Sequence, residues 1–187
     1  MDTPIIALAG GVGGAKLISG LTKTLGTKDL TIIVNTADDE EFYGLRVSPD
    51  IDTMTYTLAG LANNVTGWGR SSETYHTLQC LQDYGFDTWF QLGDKDMATH
   101  IYRTDLLNKG RSLSEVTTQI TKALGVKYVI APMTDDIIKT RVVTENSVLS
   151  FQDYFVRNQG KIAIKELLFE GSEHASPSPI FSKSLEN

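Results

Sequence analysis

A cluster of glycines near the amino terminus is the residue pattern best suited to chemistry. Gly10, Gly11, Gly13 and Gly14 stand together, and Lys16 follows them. Glycines lack a Cβ atom, so their backbone N–H groups can approach phosphate oxygens closely, and a following helix adds the positive end of its dipole. The spacing is not that of a Walker loop, and the dinucleotide fingerprint would need an acidic ribose anchor about 20 residues on. We predict a phosphate-binding loop, with a tight strand-to-helix turn as the alternative.

Polar side chains follow the second apolar run of the sequence, at the point where a strand would end. Asn35, Thr36 and Asp38 come first, and Glu40 and Glu41 lie further along. In doubly wound folds, ligands sit at the carboxyl ends of parallel strands, where such groups can hold Mg²⁺ or hydrogen-bond a ligand. We therefore take Asn35, Thr36 and Asp38 as ligand-binding candidates. Glu40 and Glu41 fit a solvated acidic loop equally well.

Asp50 and Asp52 form a compact pair of carboxylates at the start of a predicted helix. Mg²⁺ in phosphoryl transfer is commonly held by one or two carboxylates together with substrate phosphate, so the pair is a candidate metal site. Either carboxylate can instead accept a proton from an attacking hydroxyl group, and both are therefore catalytic candidates. The simpler alternative is that Asp50 caps the helix. The spacing does not separate the metal ligand from the base.

Four further candidates come from two later segments. Asp94 opens the segment that contains His100 and Arg103, which are three residues apart and so share one face of a helix. An arginine there can bind a phosphate through two hydrogen bonds, although a surface helix with one satisfied histidine fits the same pattern. Asp135 follows another apolar run, at the same predicted sheet edge as Asp38. We take all four as ligand-binding candidates.

These candidates need a scaffold of alternating strands and helices to position them. Residues 4–9 and 30–34 are short apolar runs, and apolar residues at helical spacing lie between them until Gly26. The chain thus opens with a βαβ unit, and continuous apolar strands indicate a parallel sheet covered on both faces. We predict an α/β, Rossmann-like fold, with a mostly parallel sheet, helices on both faces and a small hairpin region. We expect one domain over residues 1–187.

Further elements follow from periodicity and capping signals. One helix is predicted to begin near Asp50, a second to end at Gly85, a third to span 94–108 with Met97, Ile101 and Leu107 inward, and a fourth to follow a capping box at 112–115. Strands are predicted at 126–131, 141–144, 148–151 and 162–169. Residues 176–179 are predicted to form a loop or a helix start. Cys80 lies in one of the helical patterns, and we expect it to be a core thiol.

Composition limits the partners and the compartment. The net charge is −6 without a visible Lys/Arg cluster, which argues against a nucleic-acid-binding protein. Cys80 is the only cysteine, so no intrachain disulfide can form and a reducing compartment is expected. The sequence shows no leader pattern and no apolar stretch near the roughly 20 residues that span a bilayer. We expect a cytoplasmic protein with no membrane partner.

Six stretches of the sequence carry a resemblance to a known family: LAGGVGGAKL, VNTADDEEFYGLRVSPDIDTMTYTLAG, GWGRSSETY, WFQLGDKDMATHIYRT, PMTDD and FQDYFV. They occur in family order and cover nearly the whole chain. The sequence resembles the 2-phospho-L-lactate transferases of the CofD family, which act late in the synthesis of the deazaflavin coenzyme factor 420.

The resemblance implies a transfer reaction that uses Mg²⁺. The donor is a guanosine diphosphate adduct of 2-phospholactate or phosphoenolpyruvate, and the acceptor is 7,8-didemethyl-8-hydroxy-5-deazariboflavin. The terminal ribityl hydroxyl of the acceptor attacks the β-phosphorus of the donor, and GMP leaves. By motif match, Asp52 and Gln91 fall where deazaflavin contacts are expected. The position of Gln91 is often basic in the family, so that contact is expected to be weaker in this chain.

The resemblance also raises a rival function and a question of length. Related proteins share the glycine loop but bind sugar nucleotides as regulators rather than as enzymes, and the stretches SPDIDT and FQDYFV argue against that function for this chain. The family usually continues beyond this length, so we expect the carboxyl-terminal part of the family fold to be missing. Strands left at a sheet edge invite pairing with a second chain, and we therefore expect a homodimer.

Overall fold

The computed structural model of the protein describes residues 4–186 and contains a three-stranded parallel sheet. Its strands are β1 (Ile5–Ala9), β2 (Leu30–Val34) and β5 (Val129–Pro132), in the order β1-β2-β5. Ile5 pairs with Leu30, so that β1 and β2 end together at Ala9 and Val34. The residues that follow each strand therefore meet at one edge of the sheet, as the apolar runs predicted.

The remaining elements surround this sheet. In chain order they are α1 (Gly11–Leu21), β3 (Glu40–Phe42), β4 (Leu45–Val47), α2 (Pro49–Leu58), α3 (His76–Asp83), α4 (Asp94–Asn108), α5 (Leu113–Ala123), β6 (Lys139–Val143), β7 (Val148–Ser150), a π-helical turn (Asp153–Arg157), β8 (Glu166–Glu170) and α6 (Pro179–Leu185).

The main core joins α1 and α2 to one face of the sheet. Its buried members are Ala15, Ile18, Leu30, Ile32, Val34, Ile51, Met54 and Ile130. Ile33 and Ala131 point to the opposite face, because side chains alternate along a strand, and both are buried as well. The α/β fold with a parallel sheet and helices is thus confirmed, while the single-domain boundary at 1–187 stays a prediction.

Two antiparallel units complete the fold, and one of them was not predicted. The predicted hairpin is confirmed as β6 and β7, and β8 pairs on the other side of β6 but begins at Glu166 rather than near residue 162. The unpredicted unit is β3–β4, so Glu40 and Glu41 lie in a strand and not in an acidic loop. Its turn residues Tyr43 and Gly44 have φ of 55° and 76°, as a two-residue hairpin turn requires.

Two side chains expected in the core are exposed. Cys80 is exposed because α3 buries only Leu78, and a residue two positions further along a helix points to the opposite side. Ile101 is 56% exposed because the buried face of α4 is centred on Asp96, His100 and Arg103 rather than on apolar residues. The apolar spacing was right for Leu78 in α3 and for Met97 in α4, which are both buried, and wrong for Ile101.

No helix within residues 4–186 is both long enough and apolar enough to cross a bilayer.

The sheet strand β1 pairs only with β2 among the described residues, and β5 likewise pairs only with β2. Two sheet edges therefore carry unpaired backbone groups. A second chain could pair at such an edge, and the homodimer stays a prediction.

Met54 tests the packing of α2 against α1 and the sheet. Its side chain is fully buried, so Met54→Ala should lower the free energy of unfolding by about 2–5 kcal/mol. Leu17→Ala is the matched control, because Leu17 is 60% exposed and its truncation should change stability by less than about 0.5 kcal/mol. Denaturant unfolding of both variants measures the difference. Equal losses would contradict this arrangement of the core.

Candidate active site

The glycine loop connects β1 to α1 at the carboxyl edge of the sheet. Gly10 has extended backbone geometry and precedes the first turn of α1, and Gly11 has φ of 59°, a conformation that favours glycine. Gly10, Gly11 and Val12 line a cavity of about 460 Å³. The first turn of α1 holds no acidic residue of its own.

Asp50, in the first turn of α2, lies directly against this loop. The nearby backbone N–H of Gly11 lowers the pKa of this carboxyl group, against the larger effect of burial, which raises it. A Cβ atom added to Gly10 would lie 2.7 Å from Asp50 Oδ2 and 3.3 Å from the Cβ of Asn35. Close approach of these side chains therefore explains why position 10 is glycine. Asp50 supplies the negative charge that complements the start of α1.

Asn35 ties Asp50 to Asp38. Its amide Nδ2 donates to Asp38 Oδ2 at 2.8 Å and to Asp50 Oδ2 at 3.1 Å, and its Oδ1 accepts from the backbone N–H of Ala37 at 3.1 Å. Burial raises the pKa of both carboxyl groups above the usual range, and the hydrogen bonds from Asn35 partly offset this. The predicted residues Asn35, Asp38 and Asp50 thus meet at one wall of the cavity.

Arg103 and Asp52 form a buried ion pair beneath that wall. Nη1 of Arg103 donates to Asp52 Oδ2 at 3.0 Å, and Nη2 contacts Asp52 Oδ1. Both side chains are almost fully buried. Burial opposes the charge of Arg103, yet the adjacent Asp52 carboxylate raises the pKa of the guanidinium. Arg103 therefore neutralises Asp52, and its predicted role as a phosphate ligand would require this pair to open.

His100 of α4 is oriented by contacts on both of its ring nitrogens. Nη1 of Arg103 lies 3.2 Å from His100 Nδ1, and because a guanidinium can only donate, Nδ1 is the acceptor in this contact. Nε2 lies 3.3 Å from Asp96 Oδ1. Tyr56 donates its hydroxyl to the same Asp96 oxygen at 2.6 Å. His100 thus belongs to a buried network that lines the cavity.

Aromatic side chains form much of the rest of the cavity. Trp68 and Phe90 line it, together with Phe151 and Phe155. The rings of Phe151 and Phe155 stack at 5.6 Å between centroids with an interplanar angle of 6°. Their segment is anchored by Gln152, whose Nε2 donates to the backbone oxygen of Asp38 at 3.2 Å. The cavity therefore combines polar groups at the glycine loop with flat, apolar aromatic side chains.

Thr36 and Asp135 lie in a second cavity of about 280 Å³, on the other side of β4. Asp135 accepts from the backbone N–H of Ser114 at 2.7 Å and so caps the start of α5. Asp39, one residue beyond Asp38, also lines this cavity and accepts from Ser48 Oγ at 2.5 Å. The predicted residues Thr36 and Asp135 therefore lie at the same sheet edge as the glycine loop but not in its cavity.

The other predicted residues lie outside the main cavity. Asp94 accepts hydrogen bonds from Thr74 and from the first backbone N–H groups of α3, which lower its pKa, so it is a helix cap. Gln91 is exposed and donates to the backbone oxygen of Thr88. It lines a depression of about 360 Å³ that shares Trp68 and Asp96 with the main cavity.

Three predicted residues of the loop itself do not line either of these cavities. Gly13 and Lys16 are exposed on α1, and a Cβ atom added to Gly13 would have no heavy atom within 4 Å. A Cβ atom on Gly14 would lie 3.2 Å from the Cβ of Ala9, so Gly14 allows α1 to pack against β1. Of the four glycines, only the first two therefore face the main cavity.

Comparison with known proteins identifies the family. The family model described as "2-phospho-L-lactate transferase CofD" matches residues 5–187. The chain belongs to this family. It is 41% identical over 180 residues to the phosphoenolpyruvate transferase of Streptomyces coelicolor, covering 94% of this chain and 56% of that protein. It is 40% identical over 180 residues to the 2-phospho-L-lactate transferase of Methanopyrus kandleri, covering 96% of this chain and 57% of that protein.

A third relative belongs with these two, and a solved structure shares the fold. The 2-phospho-L-lactate transferase of Methanocaldococcus jannaschii is 36% identical over 187 residues, covering 98% of this chain and 60% of that protein. The crystal structure of a UPF0052-family protein from Bacillus halodurans is similar in fold, with a TM-score of 0.60 at 15% identity, covering 99% of this chain and 56% of that one. This chain spans less than two thirds of the length of these relatives.

Gly10 and Gly13 provide a matched test of the loop. Gly10→Ala places a Cβ atom against Asp50 and Asn35 and should lower the free energy of unfolding by about 1–3 kcal/mol. Gly13→Ala adds a Cβ atom into open space within a helix and should stabilise by up to about 1 kcal/mol. Thermal unfolding of the two variants shows whether each substitution raises or lowers the free energy of unfolding. A stabilising Gly10→Ala would show that Asp50 does not pack against the loop.

The Arg103–Asp52 pair can be tested by removing either or both charges. Arg103→Met leaves Asp52 buried without its partner and should cost about 3–5 kcal/mol of stability. The double variant with Asp52→Asn should recover part of that loss, because no buried charge remains uncompensated. Lys109→Met breaks the exposed pair with Asp105 and should cost less than about 1 kcal/mol. Equal costs for Arg103→Met and Lys109→Met in denaturant unfolding would contradict the buried pair.

Proposed function

We propose that this chain carries the donor and acceptor sites of a transferase in deazaflavin coenzyme biosynthesis. The donor is a guanosine diphosphate adduct of 2-phospholactate or of phosphoenolpyruvate, and the acceptor is 7,8-didemethyl-8-hydroxy-5-deazariboflavin. One observation carries the proposal: a glycine loop, carboxylates and stacked aromatic rings line the same cavity. A phosphate-bearing donor and a planar, apolar acceptor need these two kinds of surface within one site.

Support for the donor comes from the start of α1. Gly10 and Gly11 line the cavity with the backbone that opens this helix, and the helix dipole favours negative charge there. The diphosphate of the donor would lie along this edge. The transferred group is already charged, so catalysis depends on positioning and on neutralising charge that develops in the transition state.

Support for the acceptor comes from the aromatic lining of the cavity. A deazaflavin ring is flat and largely apolar, and Phe151, Phe155, Trp68 and Phe90 offer surfaces on which such a ring can stack. The ribityl chain would then run toward the carboxylates. Its terminal oxygen forms a bond to the β-phosphorus, the bond from that phosphorus to the GMP oxygen breaks, and the hydroxyl proton passes to a carboxylate.

Asp50 is the carboxylate that we propose as the acceptor of this proton. Both oxygens of Asp52 contact Arg103, whereas Asp50, which lines the same cavity, accepts a hydrogen bond from Asn35 and has no ion pair among the described residues. Asp52 then acts through Arg103 by fixing the start of α2. Asp50 is therefore the candidate for both roles that the spacing left open, and Asp52 for neither.

The residues present fit a divalent cation. Asp38 and Asp50 offer carboxylate oxygens at one wall of the cavity, and Mg²⁺ is commonly bound by one or two carboxylates plus substrate phosphates. No cluster of three His, Cys, Asp or Glu side chains arranged for a metal occurs within residues 4–186. Mg²⁺, when bound, neutralises charge on the diphosphate. We place it on Asp38 and Asp50 rather than on Asp50 and Asp52.

Ligand binding distinguishes this function from sugar-nucleotide regulation. GDP at 100 times its Kd should stabilise the protein by about 2.7 kcal/mol in thermal unfolding, and the deazaflavin should stabilise it independently. UDP-N-acetylglucosamine is the control and should give no shift. Mixing donor, deazaflavin and Mg²⁺ should release GMP. Stabilisation by the UDP-sugar alone, with no response to GDP or the deazaflavin, would favour the regulatory function instead.

A further inference from the structure

The depression beside the main cavity holds a cation that the lining of the main cavity lacks. The main cavity is lined by four aspartates and, among residues 4–186, by no lysine or arginine. The depression of about 360 Å³ shares Trp68, Gly69, Asp96 and Val156 with it and adds Arg70. A flat ligand that fills the aromatic part of the main cavity and extends past Trp68 therefore reaches a guanidinium group.

Arg70 is held at the boundary between these two spaces. Its backbone forms an isolated β-bridge with Ala62, and the N–H of Ser71 donates to the backbone oxygen of Leu61 at 2.8 Å. The Cζ atom of its guanidinium lies 5.6 Å from the centroid of the Tyr56 ring, and Tyr56 lines the main cavity. The bridge and the ring thus fix both the backbone and the side chain of this arginine.

The charge of Arg70 has no acidic partner within residues 4–186. Its side-chain hydrogen bond there is long, from Nη1 to the backbone oxygen of Lys95 at 3.4 Å. A guanidinium carries five N–H donors, so most of them remain available to a ligand. Arg157, which lies over the Trp89 ring of the depression at 5.3 Å, is instead paired with Asp87 at 2.9 Å. Of these two arginines, Arg70 is the one that can bind an anion without breaking an ion pair.

Two acidic side chains also line the depression, and both are already hydrogen-bonded. Glu73 accepts from the backbone N–H groups of Lys95 and Asp96 in the first turn of α4. Asp96 accepts the hydroxyl of Tyr56. Tyr75 is the remaining titratable group of the lining. Neither carboxylate forms an ion pair with the guanidinium, so its positive charge is left for a ligand.

The acceptor of the proposed reaction has an ionisable group that suits this cation. Its 8-hydroxyl group is conjugated through the flat ring system to the carbonyl groups of the pyrimidine ring. Loss of the hydroxyl proton therefore spreads negative charge over both ends of the ring system. A guanidinium is planar and offers paired donors, so it binds such an anion more tightly than the neutral ring. Riboflavin has methyl groups in place of that hydroxyl and stays neutral near neutral pH.

We propose that Arg70 binds the ionised deazaflavin ring and makes the site select this anion over neutral flavins. The inference rests on the proposed function and adds a specificity-determining residue to it. One end of the ring lies in the depression beside Trp68 with its negative charge on the guanidinium, and the ribityl chain runs back into the main cavity. By linkage, a contact that strengthens binding of the anion lowers the pKa of the bound hydroxyl by the same free energy.

The test is binding of the deazaflavin to wild type, Arg70→Met and Arg70→Lys, with ionisation of the bound ligand followed by its visible absorbance across a pH series. Arg70→Met keeps a long side chain but removes the charge. It should weaken binding of the ionised ring about tenfold and raise the pKa of the bound hydroxyl by about 1, because these are the same free energy. Arg70→Lys keeps the charge and should recover part of both effects.

The neutral ligand and a second cation provide the controls. Below the pKa of the hydroxyl, the neutral deazaflavin should bind wild type and Arg70→Met within about twofold of each other. Wild type should prefer the deazaflavin to riboflavin, and Arg70→Met should reduce this preference. Lys109→Met also removes one positive charge, but Lys109 is exposed and pairs with Asp105, so this variant should behave as wild type. Circular dichroism establishes that each variant is folded.

Three results would overturn the inference, and they differ in what else they affect. If Arg70→Met binds the deazaflavin as tightly as wild type with the same pKa of the bound hydroxyl, Arg70 does not bind the anion, while the acceptor site stands. If Arg70→Met loses affinity equally for the neutral and the ionised ligand, its role is structural and the selection is wrong. If wild type binds no deazaflavin at any pH, the proposed function fails as well.

Discussion

The buried ion pair between Arg103 of α4 and Asp52 of α2 is the contact on which the site depends. It fixes the first turn of α2 relative to α4, and α2 in turn packs on α1 and the sheet through Ile51 and Met54. Two residues before Asp52, Asp50 is thereby held against the glycine loop. A buried charge without a partner is costly, so the pair has a strong preference for this one arrangement.

That arrangement divides the carboxylates of the site into two groups. Asp52 and Asp96 line the cavity but are satisfied by Arg103, His100 and Tyr56. Asp38 and Asp50 also line it and share the amide of Asn35, with raised pKa values that arise chiefly from burial. The first group positions the second.

The sequence predicted the scaffold well because the opening βαβ unit is a local pattern. The apolar run at 30–34 is β2 at the same bounds, and the capping box at Ser112 and Glu115 does open α5. The buried face of α4 was predicted only in part, because Met97 is buried as predicted but a long-range ion pair rather than apolar periodicity decides the rest. Ile101 was predicted to point inward but is exposed, and Arg103 is buried instead.

Part of the site was also predicted, because strand ends and helix starts are local patterns in the sequence. Gly10, Gly11, Asn35, Asp38 and Asp50 follow strand ends or open a helix, and sheet topology alone brings them together. Asp94 and Asp135 follow the same kind of signal, but they cap helices. Tyr56 and Asp96 were missed because only tertiary packing brings them within 2.6 Å of each other. The FQDYFV stretch was recognised in the sequence, but nothing in it predicted that Phe151 and Phe155 would line the same cavity as the glycine loop.

The most direct test of this account is the position of Mn²⁺ in crystals grown with GDP and Mn²⁺, located by anomalous diffraction. The account predicts one Mn²⁺ between the Asp50 carboxylate and a GDP phosphate, with that phosphate on the Gly10 and Gly11 amides and the Arg103–Asp52 pair intact. A Mn²⁺ bound to Asp52 with Arg103 displaced would contradict it. So would a GDP phosphate bound away from the loop.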